Sequence, residues 1–444
     1  TLGVLQALAP NSAQTPDFGE HPFLDDYWAM QPASFLDRVK IPVLGCVNWQ
    51  DTTVYSRGFN MFRTQLNPET TWVVGGNGAH ADCPISRARL VRFFDRYLKR
   101  QANNWESTPH VLLIHEVAGT TGVREMLKDD AGAWQTHYPH WSDYEAAITP
   151  LTFYLHSGGL LQLMPAKDAA SESYRYPLPS ANTPADWAGI NPWGLPVLPG
   201  GALIYTTPAL AQDLEFAGSG SANLWIESTA SDADVQLTLS EVRPDGQEMF
   251  VENGWLKLSH RKLDEAKSSA LFPFHTDRAE DAQDLPAGKA VLARVEMQPF
   301  NHVFRTGSAL RLTVDAPGSW MTPVAAPATN TLHLGAEQGS ELVLGWVASG
   351  HAQTPLPACG TLLNQPCRSN TTPVPEGAMA IVGEVPAEPR TAARFGGAMD
   401  LAALLGLMGL VVTSGYQQQR TTKRLRTPQH AVPGIPELPG CPPV

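Results

Sequence analysis

The chain has few cysteines and no basic run in its body, and each shortage excludes a class of protein. Five cysteines in 444 residues are too few for a small scaffold held together by disulfides. A net charge of −12 argues against nucleic acid as a partner, because its binding relies on clustered Lys and Arg. With 43% apolar and 17% charged residues, the chain is long enough for two or three globular domains.

No signal peptide is visible, since no charged segment followed by an apolar one comes after Thr1. Cys359 and Cys367 enclose a short loop, which favours a disulfide and an oxidising compartment, with two free thiols as the alternative. Cys46 lies in an apolar run and is predicted to be a buried small hydrophobe. We therefore expect an extracytoplasmic location, whether secreted, periplasmic or membrane-anchored.

Residues 1–149 show an α/β order of elements. The apolar runs 41–47 and 71–76 predict strands, and residues 52–66 and 84–100 predict the helices that follow them. The second helix has one apolar stripe, formed by Leu90, Val91, Phe94, Tyr97 and Leu98. Such alternation implies neighbouring parallel strands. In sheets of this kind the functional residues lie beyond the carboxyl ends of the strands.

Asp51 and His80 each follow one of these predicted strands. A carboxylate that orients an imidazole, which in turn activates a serine, is the arrangement of a nucleophilic triad. Asp before His agrees with the order in α/β-hydrolases, where the serine comes first. However, Gly-x-Ser-x-Gly occurs nowhere in the 444 residues. Ser12, Ser56 and Ser86 lack that context and are expected to be surface or capping hydroxyls.

Two alternatives to a triad remain open for these loops. Asp51 and His80 can be structural residues, because polar side chains often follow strands without acting in catalysis. A metal site formed by His80, Asp82 and Cys83 is the other alternative, although no second cluster completes a ligand shell.

Residues 150–349 change to short strands punctuated by Gly and Pro. Side chains alternate along residues 234–242 and 309–314, and residues 243–247 contain a Pro-Asp-Gly turn. Residues 341–347 form a last apolar strand. This pattern predicts an all-β domain, either a sandwich or a jelly roll.

The C-terminal residues divide into three segments. Residues 350–394 are rich in Pro, Ala and Thr and are predicted to be a linker. The hydrophobic segment 395–416 contains the apolar stretch 396–416, and the basic, Pro-rich tail 417–444 follows it. A membrane anchor at 396–416 is one hypothesis. A helix packed on the protein or an unstructured tail is the alternative.

Four longer runs carry a family pattern: residues 21–58, 225–261, 297–318 and 356–368. The first contains "NWQD", the second "STASDADVQ", and the last "LPACGTLLNQPCR". Together they resemble the CocE/NonD hydrolases, relatives of cocaine esterase and of the Xaa-Pro dipeptidyl-peptidases of the S15 group. The resemblance covers roughly residues 18–370.

The resemblance implies a partial α/β-hydrolase domain followed by a β jelly roll, a galactose-binding-like sandwich. It implies that Asp51 orients His80, and that His80 acts as general base and then general acid. The family's nucleophilic serine and an oxyanion-stabilising tyrosine lie in an N-terminal half that is absent here. We therefore expect an exposed sheet edge and apolar face, and no hydrolysis by this chain alone.

The function that the resemblance implies is hydrolysis of a small ester, amide or Xaa-Pro peptide, with no cofactor or metal. The alternative is a non-catalytic jelly-roll module that binds carbohydrate or protein. Asp232 and Asp234 are calcium or sugar ligands in that case, but turn hydrogen bonds are the expected role. Three tryptophans are predicted to pack in the core rather than line a pocket: Trp225, Trp255 and Trp320.

Overall fold

The computed structural model describes residues 21–29, 36–51, 56–78, 83–116, 135–176, 199–316, 327–335, 337–348, 356–362 and 364–381. The hypotheses about the hydrophobic segment 395–416 and the tail 417–444 lie outside the described residues. Within the described ranges, no helix combines the length and apolar character needed to cross a bilayer.

Helices are few, and strands dominate. The helices in the described ranges are α1 (Asp26–Ala29), α2 (Gly58–Thr64), α3 (Arg87–Tyr97) and α4 (Trp141–Ala147). The strands are β1 (Val43–Asn48), β2 (Thr71–Gly76), β3 (Val111–Ile114), β4 (Gln135–Tyr138), β5 (Ile148–His156), β6 (Leu160–Gln162), β7 (Ala170–Tyr176), β8 (Ala202–Thr206), β9 (Ala209–Leu210), β10 (Leu214–Ser228), β11 (Asp234–Val242), β12 (Gln247–Lys257), β13 (Val291–Phe304), β14 (Ala309–Asp315), β15 (Ala328–Leu334), β16 (Glu341–Val347), β17 (Cys367–Ser369) and β18 (Ala378–Met379).

The first sheet has the order β1-β2-β3-β4. β1, β2 and β3 are parallel, and β4 is antiparallel to β3. The predicted parallel pair is therefore confirmed, with β2 at the predicted residues and β1 within one residue of its predicted end. Two glycines let aromatic rings lie directly on this sheet, because a Cβ at Gly45 or Gly75 would overlap the rings of Phe62 and Trp49 respectively.

Helix α3 packs against the sheet through a different face from the predicted stripe. Ser86 caps it by accepting a hydrogen bond from the Arg89 N–H at 3.1 Å. Phe93 lies in a buried cluster with Trp72 and Trp105. Of the predicted stripe, Tyr97 packs against this cluster. The other four residues are exposed: Leu90 by 39%, Val91 by 47%, Phe94 by 43% and Leu98 by 73%. The helix has more apolar positions than one buried face needs, so the sequence pattern alone chose the wrong face.

The edge of the sheet at β1 is also open. Among the described strands, β1 pairs with β2 and with no other strand. Ile41, just before β1, is 71% exposed. The open edge at β1 and the exposed apolar residues of α3 agree with the expectation of an exposed sheet edge and exposed apolar surface.

The remaining strands, apart from the short β9–β18 pair, form one large antiparallel-rich sheet. Its order is β13-β12-β11-β14-β8-β6-β5-β16-β10-β15-β7, β17 pairs with β12, and an additional β10–β13 pairing closes a ring of strands. The predicted core face of β11 and β14 is confirmed, because the side chains predicted to share it all have 0% exposure. These side chains are Val235, Leu237 and Leu239 in β11 and Leu310, Leu312 and Val314 in β14. In β14 the intervening Arg311 and Thr313 are also buried, so that strand is covered on both faces.

The predicted Pro-Asp-Gly turn joins β11 to β12. Gly246 has φ of 80°, a left-handed conformation that costs glycine little. The Gln247 N–H donates to Asp245 Oδ1 at 2.9 Å. The two strands therefore pair as a hairpin, with a bulge between Leu239 and Ser240.

Part of the predicted linker is bound to the β-rich sheet. β17 pairs with β12, and β18 pairs with β9. The predicted disulfide between Cys359 and Cys367 is present. Residues 356–362 and 364–381 therefore differ from the expectation of a loose linker, because backbone pairing and the disulfide hold them.

Two further expectations about the β-rich region have different outcomes. Asp232 accepts hydrogen bonds from the Ala233 and Ser259 N–H groups, both at 2.9 Å, and pairs with Lys257 Nζ at 2.8 Å. The expected turn role is confirmed for this carboxylate. Trp225 and Trp255 are only half-buried, so the prediction that they lie in the core is wrong. Trp320 lies outside the described residues.

Glu252 is a carboxyl group buried in β12. It is 4% exposed, its Oε1 accepts only from the Asn253 N–H at 2.9 Å, and its Oε2 has no hydrogen-bond partner in the described ranges. Burial raises the pKa of Glu252 well above its ordinary value, and the single backbone hydrogen bond does not offset this. The folded protein therefore holds this carboxyl in its protonated form over part of the pH range where the unfolded chain ionises it.

We predict that Glu252→Gln stabilises the protein increasingly as the pH rises above about 4.5. Between the unfolded and folded pKa values the unfolded state binds fewer protons, so the wild-type free energy of unfolding falls by about 1.4 kcal/mol per pH unit. Glutamine mimics the protonated acid and removes this slope. Urea unfolding across pH 5 to 8, with the exposed Glu280→Gln as control, measures the difference, and parallel stability curves would contradict it.

Candidate functional site

Asp51 lies directly beyond β1, at the carboxyl edge of the parallel sheet. It is 7% exposed, and its N–H donates to Asn48 O at 3.4 Å. The neighbouring strand β2 ends at Gly76, and the buried Asn77 and Gly78 continue it towards His80. His80 itself lies outside the described residues. The structure thus places the acid at the expected edge, while its pairing with His80 stays a prediction.

The serines near this edge have different environments from those expected. Ser86 caps α3, as predicted, but it is only 3% exposed. Ser56, which precedes α2, is 0% exposed, so the expectation of a surface or capping hydroxyl is wrong for it. Ser12 lies outside the described residues.

Gln50, which precedes Asp51, contacts three separate segments. Its Nε2 donates to Val251 O in β12 at 3.1 Å. Its Oε1 accepts from the Gly78 N–H at 3.2 Å. Its backbone carbonyl accepts from Asn364 Nδ2 at 2.5 Å. This buried amide therefore joins the loop after β1, the loop after β2 and the β-rich sheet.

The third parallel strand ends in His115 and Glu116, which sequence reasoning missed. His115 is 2% exposed, its Nε2 lies 2.7 Å from Thr136 Oγ1, and Glu215 Oε1 lies 3.7 Å away. Burial lowers the pKa of His115 and outweighs the opposite effects of Glu215 and Glu116. Glu116 has φ of 47°, a strained region for a non-glycine residue. A polar pair after a buried apolar run is the same signal that marked Asp51.

Beyond β3, a buried cluster of charges joins the two sheets. Glu116 pairs with Arg305 of the loop after β13, and its Oε1 lies 3.7 Å from His302 Nδ1. His302 Nε2 lies 3.0 Å from Glu241 Oε2 in β11. Burial raises the pKa of Glu241, but its hydrogen bond to His302 and the nearby Arg243 hold that pKa below its ordinary value. Because these groups are paired with one another, the free-energy cost of burying their charges is offset.

A second set of contacts joins helix α2 to the β-rich sheet. Arg57 Nη2 lies 2.7 Å from Glu296 Oε2 in β13. Asn60 Nδ2 donates to Ser219 Oγ in β10 at 2.9 Å. The segment that follows Asp51 is therefore bound to the same sheet as Gln50.

Cys46 forms a disulfide with Cys83, so the prediction of a free, buried Cys46 is wrong. Their Cα atoms lie 5.6 Å apart although 37 positions separate them in sequence. The sulfur of Cys83 is thereby unavailable as a metal ligand, which contradicts the alternative of a metal site with His80 and Asp82. No group of three or more metal-ligating side chains occurs among the described residues. The bond connects β1 to the segment just after His80.

This edge can perform one kind of chemistry with its own residues. A buried carboxylate at the end of β1 can accept a hydrogen bond from an imidazole on the adjacent loop and stabilise its charged form. The Gln50 amide and the Cys46–Cys83 disulfide connect the described residues that flank these two loops. A general base at this edge needs a nucleophile, and no described serine lies in a strand-to-helix nucleophile turn.

Comparison with family models identifies one domain in the chain. Residues 103–345 match the X-Pro dipeptidyl-peptidase C-terminal non-catalytic domain. This match covers more than half of the 444 residues.

Two curated relatives and one solved structure are similar to the chain. A protein of Mycobacterium bovis named as a serine esterase is 28% identical over 130 residues, 28% of this chain and 21% of its own length. Cocaine esterase of a Rhodococcus species is 24% identical over 371 residues, 73% of this chain and 60% of that enzyme. A CocE/NonD family hydrolase of Staphylococcus aureus shares the fold, with a TM-score of 0.59 and 21% identity over 78% of this chain and 62% of its own. The chain thus spans less than two thirds of each of these proteins.

We predict that the Cys46→Ala, Cys83→Ala double variant loses about 4 kcal/mol of unfolding free energy, because the bond restricts a long loop in the unfolded chain. Cys359→Ala with Cys367→Ala should lose less, about 2.5 kcal/mol, since that loop is much shorter. Urea unfolding under non-reducing conditions measures both values. Alkylation of Cys46 or Cys83 in denatured, unreduced protein would contradict the pairing.

Proposed function

Because this chain belongs to the CocE/NonD family and carries the C-terminal domain of X-Pro dipeptidyl-peptidases, we propose that it is the C-terminal part of a serine hydrolase. Its substrate is a small ester, amide or Xaa-Pro peptide. The names of the relatives support an esterase or peptidase of this family. The single observation that carries the proposal is the buried Asp51 at the carboxyl edge of the parallel sheet, one strand from the loop of His80.

In the proposed mechanism, His80 takes the proton of a serine hydroxyl as that oxygen attacks the acyl carbon. Asp51 orients the imidazole and stabilises its charged form. His80 then gives the proton to the leaving alcohol or amine. Water repeats the sequence on the acyl-enzyme, with His80 as the base. No metal or cofactor has a role in these steps.

The serine and the groups that bind the oxyanion are proposed to lie in polypeptide outside these 444 residues. The absence of Gly-x-Ser-x-Gly supports this. The exposed face of α3 and the open edge of β1 support it as well. Additional strands would pair with β1, and further polypeptide would cover Leu90, Val91 and Phe94.

The finer fold assignment follows the same proposal. The four-stranded sheet with its helices is the remaining part of an α/β-hydrolase domain. The ring of strands in the β-rich region is a jelly roll. Disulfides at Cys46–Cys83 and Cys359–Cys367 support an extracytoplasmic location. Membrane anchoring through residues 396–416 remains a hypothesis of the sequence alone.

A second candidate function is a non-catalytic module that binds carbohydrate or protein. The description of the matched domain as non-catalytic favours it. Binding of a glycan by residues 1–444, with no serine-directed reactivity in any longer product of the same reading frame, would support this function over the hydrolase.

The decisive experiment for the hydrolase uses the product that includes the polypeptide encoded upstream of Thr1. We predict that a fluorophosphonate probe labels a serine in the upstream part, whereas residues 1–444 alone stay unlabelled. In the longer product, His80→Ala and Asp51→Asn should each lower kcat/KM by about 10³-fold or more. The exposed Asp37→Asn is the matched control and should keep full activity.

Two outcomes would contradict the proposal. One is a labelled serine within residues 1–444. The other is a His80→Ala variant of the longer product that retains wild-type labelling and turnover, because this result removes His80 as the base.

A further inference from the structure

We propose that Gln50 is a positioning residue. It fixes the position of the Asp51 loop relative to the loop that leads to His80 and relative to the β-rich sheet. This inference rests on the proposed function, since it concerns the geometry of the acid–imidazole pair. It assigns the β-rich domain a role in that geometry through Val251.

The position of Gln50 makes this role specific. The residue precedes Asp51 by one position, and its Oε1 accepts from the N–H of Gly78, two positions before His80. The Gln50 side chain therefore connects the residue before Asp51 to the backbone two residues before His80. Gln50 is 2% exposed, so water does not replace these hydrogen bonds easily.

The backbone groups around the Gln50 side chain require an amide at this position. One neighbour, the Gly78 N–H, is a donor, and the other, Val251 O, is an acceptor. A glutamine side chain offers one oxygen and one NH₂ group and satisfies both at once. A carboxylate would face the Val251 carbonyl with a second oxygen, and an apolar side chain would leave both backbone groups unsatisfied. Only one orientation of the Gln50 amide fits.

The loop closed by the Cys359–Cys367 disulfide supports Gln50 from the other side. Asn364 donates to the Gln50 carbonyl at 2.5 Å and has φ of 56°. The next residue, Gln365, donates to Phe250 O in β12 at 3.2 Å. Gln50 thus contacts the β-rich region at two places. One is Val251 in β12, and the other is Asn364, whose neighbour Gln365 is hydrogen-bonded to β12.

The test measures the pKa of His80 by NMR titration of the full chain labelled with ¹⁵N-histidine. Loss of its resonances in His80→Gln provides the assignment. A nearby carboxylate raises the pKa of an imidazole, so Asp51→Asn should lower the pKa of His80. Gln50→Met should lower it in the same direction by about 0.5 or more, because the loops no longer hold the pair together.

Gln236→Met is the matched control. Gln236 in β11 is half-buried and also uses both ends of its amide, because its Nε2 donates to Asp315 Oδ1 at 3.4 Å and its Oε1 accepts from Trp255 Nε1 at 2.8 Å. Neither of these contacts involves the Asp51 or His80 loops. Both methionine variants should lose stability, whereas only Gln50→Met should change the pKa of His80. A purely structural role for Gln50 predicts the same unchanged pKa in both.

Asn364→Gly provides a second variant if Gln50→Met does not fold. Asn364 is exposed, and glycine accepts its left-handed backbone. This variant removes one bond to Gln50, so it should lower the pKa of His80 by a smaller amount and speed hydrogen exchange at the Gly78 amide. Wild-type values of both quantities would overturn the role of Gln50.

The outcomes separate the two proposals. If Asp51→Asn lowers the pKa of His80 and Gln50→Met does not, the positioning role is overturned and the acid–imidazole pair stands. If Asp51→Asn leaves the pKa of His80 unchanged, the pair itself is wrong, and the role of Gln50 fails with it.

Discussion

The carboxyl ends of β1 and β3 lie against the β-rich sheet, so polar groups at this boundary lose contact with water and must be paired within the protein. Gln50 meets this constraint with one donor and one acceptor. Glu116 meets it by pairing with Arg305. Breaking a buried pair of charges by removing one partner costs about 3–5 kcal/mol. The boundary is therefore a specific interface, and the two sheets depend on it for their relative position.

The same boundary explains why strained backbone occurs beside it. Glu116 adopts a left-handed conformation and gains a buried ion pair by doing so. Asn364, also left-handed, places its amide on the Gln50 carbonyl. Such strain persists only where surrounding contacts outweigh it, and it is common near functional sites. Of the five non-glycine residues with positive φ in the described ranges, these two brace the carboxyl edge of the sheet that carries Asp51.

Away from the boundary, the α/β unit exposes apolar side chains to solvent. Helix α3 turns Leu90, Val91, Phe94 and Leu98 to the surface while Phe93 packs inward. Contiguous apolar surface of this kind marks a contact with other polypeptide. The same unit also has an open edge at β1, where a parallel sheet would continue. Under the proposed function, one additional segment would both cover this surface and supply the serine.

Much of the local structure could be predicted from the sequence alone, because it depends on short-range patterns. The runs that became β1, β2 and β16, the hairpin turn at Asp245 and Gly246, and the position of Asp51 after a strand all follow from burial periodicity and turn chemistry. The family resemblance rests on four longer runs of similar sequence and not on periodicity. The tertiary structure alone decided the Cys46–Cys83 pairing, the buried face of α3 and the three contacts of Gln50. Each of these joins residues that are far apart in the chain or chooses between two apolar faces, and only the packing of sheets and helices in space makes that choice.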